Sequence, residues 1–151
     1  MARIRSIKPE FWQDEGVARL SRDARLLYIA LWSEADDEGR FRAVPAYLKG
    51  RVFPYDDDLA MADFVAIVDE LVTTAKVLLY TNDGERFGLV TSFAKHQKID
   101  HKAKSRIPSP DDPGSTPFAS PREPSRNPRE GFRKSRELLR RSREPKRDHR
   151  E

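Results

Sequence analysis

The chain of 151 residues contains no cysteine. That excludes disulfides and thiolate metal sites, and it suits a reducing compartment. Long hydrophobic runs are missing too. Nothing approaches the roughly 20 apolar residues of a membrane-spanning helix, and the opening stretch MARIRSIKPEF lacks the apolar core of a secretion signal. Asparagine is nearly absent: Asn82 and Asn127 are the only ones, and neither fits the frame of a His-Asn-His nuclease. Large apolar residues become scarce after Lys102, where only Ile107, Phe118, Phe132, Leu138 and Leu139 occur. They are too few to bury a second core. One soluble cytoplasmic domain, with no membrane partner and no cofactor, is expected.

Charge divides the chain. Residues 1–101 carry 14 Lys+Arg against 17 Asp+Glu, a net −3, whereas residues 102–151 carry 15 against 8, a net +7. Eight of the 11 prolines also fall after residue 102. A basic stretch rich in Pro, Ser and Arg buries too little apolar surface to offset the entropy of ordering it. The composition therefore predicts a folded domain over 1–100 and a disordered basic tail over 101–151, with a marginal helix around 133–143. Such a tail suits a polyanion, most commonly nucleic acid.

Within the first hundred residues the apolar pattern changes period. Ala24, Leu27, Leu31 and Ala35 recur at helical spacing behind Ser21, a good N-cap, and predict a helix over 22–34 that Gly39 helps to turn. A short strand over 40–43 follows. Pro45 then opens a second helix from its first turn. A third helix is expected over 59–74, capped by Asp57 or Asp58, with Leu59, Phe64, Ile67, Val68 and Leu71 inward. Strands over 77–81 and 86–92 flank Asn82-Asp83-Gly84-Glu85, a strong hairpin signal. Helix, short strand, two helices and a hairpin make an α+β domain in the order of a winged helix, with the hairpin as its wing.

The stretches RIRSIKPEFWQDE, LSRDARLLYIALWSEADDEGRFR, LKGRVFPYDDD and FAKHQKIDHKAKSRIP closely resemble the N-terminal region of a family of actinobacteriophage and prophage helix-turn-helix proteins, described as DNA-binding or replisome-organising. The resemblance covers residues 2–110. It implies a winged helix acting on DNA in a bacterial host cell, in replication initiation or regulation. Besides DNA, the expected partners are replication proteins such as a helicase or its loader, with self-association as a further option. No catalytic residues come with it. The sequence departs at TTAKV, where relatives tend to have a glycine-containing turn.

A winged helix commonly sends its third helix into the major groove, where Arg, Lys, Asn and Gln read base edges. Here that helix offers Asp63, Asp69, Glu70, Thr73 and Thr74 and no basic residue. The expected DNA contacts are therefore Arg3, Arg5 and Lys8 near the N-terminus, Lys49 and Arg51 on the second helix, Arg86 on the wing, and Lys95, His96, Lys98, Lys102, Lys104 and Arg106 along a phosphate-binding arm. His96 and His101 with Asp100 lack the converging third ligand of a catalytic metal site, so neither an enzyme nor a metal site is expected. The acids Asp36–Glu38 and Asp56–Asp58 read as a helix stop and an acidic corner. Trp32 and Phe64 read as core, with Phe11 and Trp12 open between core and base stacking. The alternative reading is an adaptor that recruits replication factors and has little DNA affinity of its own.

Overall fold

The computed structural model describes residues 2–118. After a 3-10 turn at Pro9–Gln13 the elements are α1 (Glu15–Ala18), α2 (Arg22–Glu34), β1 (Arg40–Arg42), α3 (Pro45–Val52), α4 (Met61–Thr73), β2 (Val77–Asn82), β3 (Glu85–Val90), α5 (Phe93–His96) and β4 (Thr116–Phe118). The fold is α+β, with a four-stranded antiparallel sheet in the order β1-β3-β2-β4.

Local chemistry sets the boundaries. Ser21 accepts the Ala24 amide and starts α2 where the sequence predicts it. Pro45 opens α3. Gly39 turns the chain out of α2 at φ +80°, and a Cβ there would lie 2.7 Å from Phe93 Cβ. Asp83 and Gly84 carry the positive φ values of the tight hairpin turn. The start of α4 differs from expectation. Ala60 is its N-cap and makes no side-chain capping bond, so neither Asp57 nor Asp58 caps it. At the other end Ala75 takes φ +59°, with Lys76 N–H on Leu71 O and Ala75 N–H on Val72 O. This closure favours glycine, and the sequence supplies alanine at TTAKV.

Two helices and one sheet face enclose the main core. α2 contributes Ala24, Leu27, Tyr28, Leu31 and Trp32, and α4 contributes Phe64, Ile67, Val68 and Leu71. They pack against Phe41, Leu79, Val90 and Phe118 of the sheet. Each large side chain buried here contributes about 1.5–3 kcal/mol. Trp32 and Phe64 are core, as expected, and so is Phe11, while Trp12 stays 60% exposed.

The opposite sheet face is also covered. Leu78, Tyr80 and Phe87 are buried there, with the Tyr80 and Phe87 rings 5.8 Å apart. Their cover is the chain beyond α5. The Tyr80 hydroxyl donates to Pro108 O at 2.6 Å, Arg40 Nη1 to Ile107 O at 2.9 Å, and Asn82 Nδ2 to Ser115 Oγ at 3.0 Å. Residues 116–118 then add β4 beside β2. The expected boundary at residue 100 is thereby corrected: residues 101–118 continue a strap that begins at Gln97 and lies on the folded body. The physical reason is that this Pro-rich segment is ordered by hydrogen bonds from remote side chains, which its own composition does not reveal. The expected tail from residue 119 onward, with its marginal helix, lies outside the described residues.

Candidate nucleic-acid interface

Asp37 is the junction from which the interface is built. It is 3% exposed, although EADDEG reads as a stop with solvated acids. Its carboxylate accepts the Ala103 amide at 2.9 Å and pairs with Arg3 Nη1 at 2.7 Å and Arg5 Nη1 at 3.2 Å. The Ala103 amide, then Arg5 and Arg3, hold its pKa below the ordinary Asp value against the opposing effect of burial. Asp36 is engaged as well, accepting the Glu38 and Arg40 amides and the Ser105 hydroxyl.

Arg5 does not present its charge to a ligand. Its side chain is 8% exposed. Nε and Nη2 donate to Trp32 O and Ala35 O, both at 2.9 Å, and the guanidinium lies 5.1 Å from the Phe93 ring centre. A cation over the last carbonyls of a helix satisfies groups that the helix leaves open. The expectation of a DNA contact at Arg5 is thus corrected to a clamp on the end of α2. Next to it, the Ser6 amide donates to Gln97 Oε1 at 3.0 Å and Gln97 Nε2 returns to Ser6 O at 2.7 Å.

His96 is corrected in the same way. Its ring stacks on Trp32 at 4.9 Å between centres, and Nε2 lies 3.2 Å from the Tyr28 hydroxyl. Burial, with Lys95, Lys76 and Lys8 adding to it against Asp14, pushes its pKa down to about 4. A ring that is neutral at pH 7 supplies no charge to a phosphate. His101, by contrast, is exposed. Among the described residues no group of three or more His, Asp or Glu is placed to hold a metal ion, and no helix is long and apolar enough to cross a membrane.

Between its anchors the strap presents its cations outward. Gln97, Ala103, Ser105 and Pro108 are tied to the body, while Lys98, Lys102, Lys104 and Arg106 are exposed and make no ion pair among the described residues. Lys95 is exposed too, and its carbonyl receives Lys8 Nζ at 2.9 Å. The other expected contacts are dispersed. Arg3 leans on Asp37, Arg51 pairs with Glu34 at 3.0 Å, Lys49 is half-buried on α3, and Arg86 is half-buried and partnered on the hairpin. α4 exposes Met61, Ala62, Asp63, Ala66 and Thr73.

Two residues that sequence reasoning passed over join the strap. Arg42 lies opposite Phe87 on the outer sheet face, and Tyr47 is 47% exposed on α3. Together with Lys104 and Arg106 they line an open groove of about 700 Å³. The alternation Arg40-Phe41-Arg42 is the signal that would have found the first, because alternate residues of a strand share a face. No family model, no curated protein and no solved structure matches the chain.

Proposed function

We propose that this is a phage-type winged-helix protein that binds DNA and helps to assemble a replication or regulatory complex. The observation that carries the reading is the anchored strap, which holds exposed Lys98, Lys102, Lys104 and Arg106 on a fixed path. Cations held in place lose less entropy on meeting phosphates than cations on a loose arm. The order α2, β1, α3, α4, β2, β3, with β1 beside β3, supports the winged-helix reading. So does the resemblance to actinobacteriophage replisome organisers, and a helicase or its loader is the partner class we propose.

The strap, rather than α4, carries the phosphates. Anisotropy titration of the full chain against labelled DNA tests this. With five phosphates neutralised, log K should fall against log salt with a slope of about −4.5 on duplex or about −3.5 on single strands. Replacing Lys98, Lys102, Lys104 and Arg106 together by alanine should flatten the duplex slope by about 3.6. A slope near zero in the unaltered chain overturns the DNA reading. A second reading, an adaptor that recruits replication factors, is favoured by one observation: the exposed side of α4 is apolar and acidic, a surface suited to protein.

A further inference from the structure

The groove beneath the strap points to the form of DNA bound, an inference that rests on the DNA reading above. It opens between residues 103–108 of the strap, β1 and the start of α3. Arg42 stands on the sheet floor, and Lys104 and Arg106 stand on the strap. All three are exposed and unpaired among the described residues. Tyr47 lines the wall and is 47% exposed.

The acids of the groove are unequally available. Glu34 is held by Arg51, and Asp36 is held by Ser105 and two backbone amides. Only the hairpin acids Asp83 and Glu85 remain exposed, and they sit together at the β2–β3 turn. A phosphate backbone is therefore drawn to the cationic side of the groove and repelled from the hairpin.

This arrangement differs from what a duplex asks for. A duplex is convex, and reading it calls for a protruding element with donors for the major groove. Helix α4 packs into the core and carries no Arg, Lys, Asn or Gln. A concave track with free cations and an exposed ring suits a single strand, whose bases are unpaired and can stack on an aromatic side chain. We propose that the groove is a track for single-stranded DNA, with Arg42, Lys104 and Arg106 on its phosphates and Tyr47 stacked on a base.

The test is anisotropy binding of the full chain to oligothymidylate and to a hairpin duplex of matched length, at low and moderate salt. The single strand should bind about tenfold or more tighter than the duplex. Tyr47→Ala should lower single-strand affinity by about tenfold and leave the duplex unchanged, while Tyr47→Phe, which keeps the ring, should restore it. Replacing Arg42, Lys104 and Arg106 together should flatten the single-strand salt slope by about 2. Thermal melts check that each variant is folded. Equal or tighter duplex binding overturns the track and leaves DNA binding standing. Binding to neither form removes both readings. An unchanged single-strand affinity in folded Tyr47→Ala overturns the stacking role and with it the track.

Discussion

The two faces of the sheet are covered by different means. The inner face meets α2 and α4 through large apolar side chains such as Leu27, Trp32, Phe64 and Leu71. The outer face meets a Pro-rich strap that is fixed largely by hydrogen bonds, from Tyr80, Arg40 and Asn82 of the body and onto the Asp36–Asp37 turn. Apolar burial is non-directional and tolerates repacking. Hydrogen-bonded anchoring depends on a few atoms and on their protonation. The strap should therefore be the more easily released of the two covers, and it is the cover that carries the exposed cations.

The largest effect is expected where both covers share one residue. Asp37→Ala leaves the buried Arg5 guanidinium without its carboxylate and frees Ala103. Removing one partner of a buried pair costs about 3 kcal/mol, to be read from chemical denaturation followed by circular dichroism. An effect below 1 kcal/mol would show that the junction holds nothing together.

A smaller effect is expected from pH. The folded pKa of His96 lies near 4 and its ordinary value is 6.5. Between those values the unfolded chain binds a proton that the folded ring does not, so stability falls as pH drops through that window. After allowance for solvent screening the loss is about 2 kcal/mol. His96→Gln should flatten the melting temperature against pH over that range relative to the parent, and an unchanged profile would refute the assignment.

The smallest effect separates the two faces most cleanly. Tyr80→Phe keeps the ring against Phe87 and loses only the bond to Pro108 O, at a cost of about 1 kcal/mol. Hydrogen exchange should quicken in residues 109–118 while α2 and α4 remain protected. Uniform quickening would mean that the strap and the core open as one unit.

The difference between the faces also explains what the sequence made legible. Ser21 and the spacing of Ala24, Leu27 and Leu31 define α2 because cap and stripe lie within one short segment. Pro45 and Asp83-Gly84 are equally local signals. The strap was not legible. Its partners are Asp36, Asp37, Tyr80 and Ser6, all remote in the chain, and prolines conceal any period. The candidate site divided along the same line. Lys98, Lys102, Lys104 and Arg106 were expected to be accessible from charge alone, and all four are exposed. Arg5 and His96 look like their neighbours in composition, and only burial separates them as structural residues.

The pairing of Ser6 with Gln97 also bears on the order of events while the chain is being made. Its two halves are 91 residues apart, and the Asp37–Ala103 bond spans 66. Synthesis delivers about 5–20 residues each second, so the N-terminal residues wait several seconds for their partner to leave the ribosome. The helices can collapse during that interval, whereas the cationic strap cannot be set until nearly all of the described chain has emerged. A nascent copy can therefore bring α2 and α4 together before the strap and the core residue Phe118 arrive, and a message broken before residue 97 yields a product without either tie.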